Sequence, residues 1–333
     1  MVQTIPNLTK KDRVLLVDGD RYNKGDKTTT IPNLAILKTA GYCLTNGISY
    51  GLNISDPTVV WASSVFEWNA PNLTGLSTLY PEAKIILGGV GVSLHNELPY
   101  AIEHSMPDYP LYGINYSMIY TSRGCPNGCG FCRVPKKEGA IRDNAPITEA
   151  WDPSHKRLML LDNNFLASPK WKENLDFIRN NGLRVNFNQG LDIRKVDEDA
   201  AARLAEVKFS NHNWTGRYLT FAWDFPNIEP AVRKGIDYLN AAGIKRRNLV
   251  FFVLVGYNTT FEQDYYRFAV LKSLGIDPFI MIYDNKGTDL NRHFARFINK
   301  RLYRTRTFAE YRALNPVERM QVNAVINSYE AMA

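Results

Sequence analysis

The sequence predicts an α/β protein in which a doubly wound, Rossmann-like domain precedes a partial (β/α)6 barrel of the TIM type. Strand-like and helix-like segments alternate through the first hundred residues, and a second alternating series with six strand-like runs begins near Met118. Six units are too few for a complete eight-stranded barrel, which typically takes about 250 residues. We therefore expect a Rossmann-like domain at residues 1–112, the partial barrel at 113–290 and a C-terminal helical extension at 291–333.

Three apolar runs and one amphipathic segment predict the first domain. The runs are short and rich in branched apolar side chains, which is typical of strands buried in a parallel sheet. The amphipathic segment, residues 33–40, repeats apolar side chains at helical spacing, and Gly41 is placed to end that helix. The three predicted strands are residues 13–18, 58–62 and 83–88.

Six further strand-like runs predict the barrel, and helix signals separate most of them. Thr259 followed by Glu262 is typical of a capping box, and Gly275 is placed to close the helix that starts there. The polar, proline-containing residues 107–115 are the expected linker between the domains. The six predicted strands are residues 118–121, 157–161, 183–187, 218–223, 248–255 and 278–283.

Composition limits the location and the partners of the chain. Hydrophobic residues make up 45% of the 333 residues, which is enough for sizeable cores. No apolar run approaches the roughly 18 residues of a membrane span, and no secretion signal precedes the first strand, so we expect a cytoplasmic protein without a membrane partner. The net charge of +7 favours polyanionic partners or anionic cofactors.

Three of the four cysteines lie close together, at Cys125, Cys129 and Cys132. Thiolates suit zinc or iron-sulfur clusters, and the intervening glycines let the backbone turn tightly enough for three thiolates to converge on one centre. The fourth cysteine, Cys43, lies 82 positions upstream of Cys125. A cluster bound by the three would therefore keep one iron without a protein thiolate, and an open coordination position is characteristic of catalytic metal sites.

A zinc knot with three cysteines and one histidine is the alternative interpretation. His95, His104 or His155 would then supply the fourth ligand. None of these histidines stands at the short offset from the cysteines that zinc fingers use, so the spacing favours an iron-sulfur cluster.

The C-x3-C-x2-C spacing, with the aromatic Phe131 before the last cysteine, resembles the signature loop of the radical S-adenosylmethionine (SAM) superfamily. The resemblance covers about residues 115–290 and implies the same partial barrel. It also implies a four-iron, four-sulfur (4Fe-4S) cluster on Cys125, Cys129 and Cys132, whose fourth iron is chelated by the amino and carboxylate groups of SAM. One electron from a donor such as flavodoxin or ferredoxin would cleave SAM to methionine and a 5′-deoxyadenosyl radical, which abstracts hydrogen from the substrate.

Polar side chains directly follow the second predicted barrel strand, at the end where a parallel barrel gathers its functional residues. Asp162, Asn163 and Asn164 resemble the superfamily motif for the SAM amino group. Carboxylate and amide oxygens can accept hydrogen bonds from an ammonium group. An Asx turn without a ligand is the alternative.

A second polar group follows the third predicted barrel strand. Arg194 could bind the SAM carboxylate through two hydrogen bonds, Gln189 could reach the ribose hydroxyls, and Asp192 could hold Arg194 in place. A structural salt bridge between Asp192 and Arg194 is the alternative. Asp224, after the fourth strand, either faces the substrate or caps a turn.

The ends of the last two predicted strands resemble an adenine site. Val255 and Gly256 resemble the glycine-containing strand on which the purine of SAM lies in this superfamily, and Tyr283 could pack on the adenine. Buried aromatic and aliphatic residues more often belong simply to a core, so core packing is the alternative at these positions.

Two segments that flank the cysteines resemble the radical SAM subfamily with an N-terminal cobalamin-binding domain. They are residues 98–113 and residues 134–139. In that subfamily the loop after the first strand reads D-x-H-x-x-G, and its histidine ligates cobalt. The corresponding residues 18–23 contain no histidine, which argues against cobalamin. The glycines of residues 88–91 indicate either a tight turn or a close approach of backbone to a ligand.

Basic residues recur at every fourth position near the C-terminus, so a helix there would carry a basic stripe. Such a stripe either meets a nucleic-acid backbone or is a solvated face. The stripe is Arg292, Arg296 and Lys300, followed by Arg301, Arg304, Arg306 and Arg312. The interleaved aromatic residues, which fit core packing better than base stacking, are Phe294, Phe297, Tyr303, Phe308 and Tyr311.

Together these features predict a radical SAM enzyme whose Rossmann-like domain has lost or altered cobalamin binding, acting on a substrate that the sequence does not identify. One alternative is a cobalamin-dependent radical SAM methyltransferase, in which SAM also supplies the transferred methyl group. The other is a non-catalytic iron-sulfur or zinc module that recognises nucleic acid. Bound corrinoid would favour the first alternative, and the absence of SAM turnover would favour the second.

Overall fold

The computed structural model describes residues 8–20, 31–285 and 287–330. The protein is an α/β protein built on parallel sheets. Its contacts divide the chain into two compact units, the first formed by Met1–Cys125 and Arg133–Asp162 and the second by Pro126–Cys132 and Asn163–Ala333. In the described ranges no helix is both long and apolar enough to cross a membrane.

The first unit contains a sheet of four parallel strands. They are β1 (Arg13–Asp18), β2 (Ser49–Gly51), β3 (Val59–Ser63) and β4 (Lys84–Gly88). Their order is β2-β1-β3-β4, and every residue of the central β3 is buried. The three predicted strands of this region are confirmed within one residue. The sequence did not predict β2, because a strand of three residues is too short to show a pattern.

Helical segments cover both faces of this sheet. Leu16 and Trp61 belong to one core, which also includes residues of the first helix, α1 (Leu34–Asn46). Leu15 and Val60 belong to a second core, which includes Leu76 of helix α2 (Leu76–Leu79). Neighbouring residues of one strand thus alternate between the two cores, because successive side chains of a strand point to opposite faces.

The end of α1 differs from its prediction. Gly41 was expected to end the helix, but it lies inside, and the helix continues to Asn46. A Cβ at position 41 would overlap the carbonyl oxygen of Met106. The N–H of Asp108 also donates to the carbonyl oxygen of Leu37, with 3.0 Å between nitrogen and oxygen. Glycine is needed at position 41 because a neighbouring segment packs directly on the helix backbone.

The first unit continues beyond the predicted linker. A parallel pair, β5 (Ser117–Ile119) and β8 (Arg157–Leu160), corresponds to the first two predicted barrel strands. An antiparallel pair, β6 (Ser122–Arg123) and β7 (Arg142–Asp143), was not predicted. The first unit therefore holds the four-stranded parallel sheet together with β5 and β8. It also contains helix α3 (Tyr100–Glu103) and helix α4 (Val134–Lys137).

The second unit contains two sets of parallel strands. β9 (Arg184–Phe187) pairs with β10 (Lys208–Phe209). A separate sheet has the order β11-β12-β13, formed by β11 (Leu219–Ala222), β12 (Leu249–Val255) and β13 (Asp277–Ile282). The six predicted barrel strands are all present within two residues at each end, whereas the two-residue strand β10 was not predicted.

Helices alternate with these strands, and in the described part of the chain two more α-helices follow the last strand. The capping box of α8 (Phe261–Ser273) lies one residue later than predicted. The Thr260 hydroxyl accepts from the Gln263 N–H at 3.2 Å, and the Gln263 side chain accepts from the Thr260 N–H at 3.0 Å. The helices are α5 (Trp171–Asn180), α6 (Glu198–Glu206), α7 (Glu229–Ala241), α8 (Phe261–Ser273), α9 (Asp289–Asn299) and α10 (Pro316–Glu330).

Candidate active site

The cysteine loop, residues 124–132, starts from the β6–β7 pair in the first unit. The N–H of Cys125 donates to the carbonyl oxygen of Gly139 at 3.2 Å. Gly124 has a φ of 84°, and a Cβ there would overlap the carbonyl oxygen of Ala140. Positive φ and close backbone contact both require glycine, so the residue before the first cysteine fixes a tight entry into the loop.

Asp162 binds the strand that leads into the cysteine loop. Its carboxylate accepts hydrogen bonds from the backbone N–H of Thr121 at 3.2 Å and of Ser122 at 2.5 Å, and from their hydroxyls at 2.6 and 2.7 Å. Asp162 is buried, and burial raises the pKa of its carboxyl despite these bonds. These bonds give Asp162 a structural role that the sequence did not predict, and its contact with a SAM ammonium group stays a prediction.

Partly buried ion pairs connect α1 to the same strand. The Lys38 ammonium group lies 2.9 Å from the Glu103 carboxylate. The Arg123 guanidinium lies 2.7 Å from Glu103 and 3.1 Å from Glu138. Burial raises the pKa of Glu103, but Arg123 and Lys38 lower it by more, so the carboxylate is ionised at neutral pH. Arg123 is thereby held on two sides, two residues before Cys125.

Residues Pro126–Cys132 of the cysteine loop belong to the second unit and lie against strand ends of that same unit. The side-chain amide of Asn127 donates to the Asp192 carboxylate at 2.9 Å. The Phe131 ring packs against Phe225 and Tyr257, with ring centroids 5.5 and 5.3 Å apart. Asp192, Phe225 and Tyr257 follow β9, β11 and β12. The loop is therefore placed at the carboxyl ends of parallel strands, where the sequence predicted the functional residues.

Asp192 brings together predicted residues from separate segments. Its carboxylate accepts two hydrogen bonds from the Arg194 guanidinium, at 2.7 and 2.9 Å, and one from the Asn164 side-chain amide at 3.1 Å. Burial raises the pKa of Asp192, but Arg194 and the amides lower it by more, so the net shift is downward. Asp192 thus holds Arg194 by a two-point contact, and the binding of SAM by Arg194 stays a prediction.

An aromatic chain links the cysteine loop to the last two strands. Tyr257 packs against Phe131 on one side and against Tyr283 on the other, where the ring centroids are 4.8 Å apart. Val255 is buried at the end of β12, and Gly256 turns the chain with a φ of 78°. The structure thus brings Phe131, Gly256 and Tyr283 to one end of the sheet through Tyr257, which the sequence did not single out.

Asn163 and Gln189 also lie at strand ends. Asn163 follows β8 and is half-buried, whereas Gln189 is exposed in the turn after β9. The turn closes because the N–H of Gly190 donates to the carbonyl oxygen of Phe187 at 3.0 Å. Gln189 therefore points outward at a strand end, where a side chain is accessible to a ligand.

The four cysteines occupy two kinds of environment. Cys43 is fully buried in the core of the first unit, and burial raises its thiol pKa to about 12, so it is protonated at neutral pH. Cys125, Cys129 and Cys132 are only partly buried. Among the described residues, no three His, Cys, Asp or Glu side chains are grouped closely enough to hold a metal ion. The convergence of three thiolates on one cluster therefore stays a prediction.

Two histidines of the zinc alternative have partners in the first unit. His104 Nδ1 lies 3.0 Å from a Glu149 carboxylate oxygen, and His155 Nδ1 lies 3.1 Å from the Ser117 hydroxyl. Burial lowers the pKa of His155, which keeps its imidazole neutral. Each imidazole is bound through Nδ1, and metal-ligating histidines commonly keep such a hydrogen bond on their second nitrogen, so these contacts leave the zinc alternative open.

The carboxylate of Asp20, two residues after β1, binds the segment of residues 64–69. It accepts hydrogen bonds from the backbone N–H of Val65 at 2.7 Å and of Phe66 at 3.2 Å, from the Ser64 hydroxyl at 3.0 Å and from the Asn69 amide at 3.1 Å. Asp20 is buried. Residues 21–23 of the predicted cobalamin loop lie outside the described residues. Within the described part of that loop, the position of a cobalt-ligating histidine is taken by a carboxylate with structural partners.

The glycines after β4 form a tight turn. Gly89 has a φ of 91°, and a Cβ at Gly89 or Gly91 would overlap the carbonyl oxygen of Ser64 or Phe66. The N–H of Gly91 donates to the Ser64 carbonyl oxygen at 3.0 Å. The close backbone approach that these glycines permit is thus an approach to protein, which favours the turn over a ligand.

Asp224 is a titratable carboxyl at the end of β11. Burial raises its pKa to about 6, against the attraction of Arg267. Arg267 is itself buried and donates to the carbonyl oxygens of Trp223 and Leu254 at 2.6 and 2.8 Å, while pairing with Asp264 at 2.5 Å. Arg267 thus fixes the ends of β11 and β12, and Asp224 can gain or lose a proton close to neutral pH.

A cavity of about 390 Å³ lies at the opposite end of the strands. Arg184 and Lys208, the first residues of β9 and β10, line it together with Arg217. None of the predicted site residues lines this cavity, so it does not bear on the predicted chemistry.

Comparison with known proteins assigns no family. No family model matches the chain, and no curated protein matches it. The resemblance to the radical SAM superfamily therefore rests on the cysteine spacing and on the residues at the strand ends. Three residues of the site, Asn127, Phe225 and Tyr257, were not predicted. Their one sequence signal is position, inside the cysteine loop or just after a predicted strand.

We expect Asp162→Asn to lower the free energy of unfolding by roughly 1–3 kcal/mol. The amide nitrogen of asparagine cannot accept a hydrogen bond, so a buried donor that Asp162 now binds would lose its acceptor. Urea unfolding followed by circular dichroism measures this. Asp237→Asn is the matched control, since the Asp237 side chain on α7 is 73% exposed, and its effect should stay within about 0.5 kcal/mol. Equal stability of the two variants would contradict the structural role of Asp162.

We expect Asp224→Asn to stabilise the protein in a pH-dependent way. A folded-state pKa of about 6, above the ordinary 3.8, means that the folded protein retains a proton that the unfolded chain releases between these values. The destabilisation by Asp224 is therefore absent below about pH 4, grows as pH rises to about 6 and is constant above. Urea unfolding from pH 4 to 8 should show the stability difference between variant and wild type following this course. A difference that does not change with pH would refute it.

Proposed function

We propose that this protein is a radical SAM enzyme, which binds a 4Fe-4S cluster through Cys125, Cys129 and Cys132 and cleaves SAM reductively. The observation that carries the proposal is the contact of the cysteine loop with strand ends, made by Asn127 and Phe131. A purely structural metal knot needs no polar group at the carboxyl ends of parallel strands. In barrel enzymes those ends form the active site.

The residues of the loop fit such a cluster. The three thiols are partly exposed and soft, and the glycines allow a tight loop around a metal centre. Gly130 also permits close packing, because a Cβ there would overlap the hydroxyl of Tyr257. When bound, the cluster supplies the electron that cleaves SAM to methionine and a 5′-deoxyadenosyl radical, which abstracts hydrogen from the substrate.

Arg194 is the residue we assign to the carboxylate of SAM. Its side chain is 34% exposed, and Asp192 holds the guanidinium in one orientation through two of its nitrogens. A guanidinium fixed in this way presents a positive charge without losing side-chain entropy on binding. Asn164 donates to the same Asp192 carboxylate and is assigned, together with Asp162 and Asn163, to the SAM amino group.

The aromatic chain is assigned to the adenosine part of SAM. Phe131, Tyr257 and Tyr283 offer apolar faces at the ends of β12 and β13, on which an adenine ring can pack. Such a wall also excludes water from a reactive radical. Asp224 can hold or release a proton at its carboxyl near neutral pH, which suits a step on the substrate.

The proposal also includes the type of fold of each domain. The order β2-β1-β3-β4 is the one found at the centre of doubly wound sheets of the flavodoxin type, and we infer that this sheet is a Rossmann-like domain. The six remaining predicted strands then form the partial (β/α)6 barrel. Because Asp20 is fully engaged, the proposal does not include cobalamin. An oxygen-sensitive cluster places the enzyme in the cytoplasm, where flavodoxin or ferredoxin can donate the electron.

Anaerobic reconstitution with iron and sulfide tests the ligands. We expect a brown protein with about four irons per chain, the stoichiometry of such a cluster, and loss of the colour when Cys125, Cys129 or Cys132 is replaced by Ala. Cys43→Ala is the matched control and should keep the cluster, because that thiol is buried and protonated. Loss of the cluster in Cys43→Ala alone, or binding of zinc in place of iron, would overturn the assignment.

Reduction with dithionite tests the catalytic proposal. We expect 5′-deoxyadenosine and methionine, and Arg194→Ala should weaken SAM binding by roughly 1.5–3 kcal/mol, as expected for a lost hydrogen bond to a charged group. Equilibrium binding of SAM to the reconstituted protein measures this, with Arg233→Ala on α7 as the control. An intact cluster that never cleaves SAM would favour the non-catalytic module. Methyl transfer with one retained corrinoid per chain would favour the methyltransferase.

A further inference from the structure

Most of the net charge of the chain is concentrated after β13. Residues 287–320 contain eight Lys or Arg and three Asp or Glu, so this segment has a net charge of +5 out of +7 for the whole chain. The basic surface, as we define it, consists of the exposed side chains of Arg292, Arg296, Lys300, Arg306 and Arg312. A charge surplus of this size in one short segment favours a polyanionic partner.

Helix α9 presents its cations on one side. Arg292, Arg296 and Lys300 recur every fourth residue and are exposed, whereas Phe294 and Phe297 on the opposite side are buried. A spacing of four residues along an α-helix advances by about 6 Å and keeps side chains on the same face. The helix therefore carries a straight row of positive charges at nearly constant separation.

Acidic neighbours neutralise only part of the basic surface. Asp289 pairs with Arg292, and Asp277 pairs with Arg301 and Arg304. In the ranges that the structure describes, no ion pair joins a carboxylate to Arg296, Lys300 or Arg312, the cations of interest here. Their charge remains available to an anionic partner.

The aromatic residues of this segment belong to a core. They pack on one another and are not exposed, so no aromatic ring stands among the cations as a platform for base stacking. Recognition by this surface would therefore be electrostatic and independent of base sequence. The buried rings are Phe294, Phe297, Tyr303, Phe308 and Tyr311.

We propose that the basic surface binds the sugar-phosphate backbone of a nucleic acid. A polyanion with regularly spaced phosphates matches a row of regularly spaced cations. An anionic membrane is a poorer match, because membrane-surface helices insert apolar side chains and those of α9 are buried. A protein partner is also a poorer match, since protein interfaces have an apolar centre. The inference does not depend on SAM chemistry, because it concerns residues outside the candidate active site.

Fluorescence anisotropy with labelled oligonucleotides tests the inference on the full chain. Single-stranded RNA, single-stranded DNA and duplex DNA of the same sequence are titrated between 50 and 300 mM KCl, with an unrelated sequence as a second set. We expect binding that is independent of sequence and weakens steeply with salt, with a slope near −0.7 per phosphate contact on single strands. Equal affinity at all salt concentrations would overturn the inference.

Two matched pairs of substitutions locate the surface. Arg296→Gln with Lys300→Gln should weaken binding roughly 25-fold at 0.1 M salt, as expected for two lost phosphate contacts. Lys234→Gln with Lys245→Gln removes the same charge from α7 and the turn after it, and should bind like wild type. If the first pair fails to fold, as judged by circular dichroism, Arg306→Gln with Arg312→Gln takes its place.

The remaining outcomes are decisive as well. Equal binding by the two pairs would overturn the inference, since the affinity would then reflect net charge and not this surface. Binding to vesicles that contain phosphatidylserine, without binding to any oligonucleotide, would assign the surface to a membrane and also overturn it. If the reconstituted wild-type protein binds oligonucleotides but does not cleave SAM, the proposed function is refuted and the nucleic-acid inference stands.

Discussion

The carboxylate of Asp192 is the contact on which the candidate site depends. It accepts hydrogen bonds from Asn127 in the cysteine loop, from Asn164 after β8 and from Arg194 after β9, so three segments distant in sequence share one acceptor. A buried carboxylate is costly unless donors surround it, and the donors are in turn oriented by its charge. The position of the loop and the orientation of the guanidinium are therefore coupled. If either were displaced, the Asp192 carboxylate would lose hydrogen-bond donors, and the free-energy cost of burying its charge would rise.

The sequence predicted the longer strands of this protein more accurately than it predicted where helices end. A strand buried on both faces in a parallel sheet is a continuous apolar run, and such runs are visible without knowledge of the fold. Gly41 shows why helix ends were harder. A glycine in a helical pattern either ends the helix or allows another segment to approach it, and only the position of residues 106–108 decides between the two.

Some residues of the candidate site could be predicted from the sequence, whereas the contacts between them could not. The spacing of the three cysteines indicated them, and Asp192 and Arg194 were indicated by their place directly after a predicted strand. Asp162 was assigned from its place after a strand, but its orientation depends on Thr121 and Ser122, which the parallel pairing of β5 with β8 brings next to it. Contacts that bring distant segments together, such as that of Phe131 with Tyr257, have no local signature.

The four hydrogen bonds of Asp20 limit what a single substitution could do at the end of β1. A neutral histidine at position 20 would offer one acceptor nitrogen in place of two carboxylate oxygens. The donors of Val65, Phe66 and Asn69 would then compete for that one nitrogen, and each buried donor left unpaired costs about 1–3 kcal/mol. An imidazole at this position would therefore be committed to satisfying the neighbouring segment, so a metal ligand could not be engineered here by changing residue 20 alone.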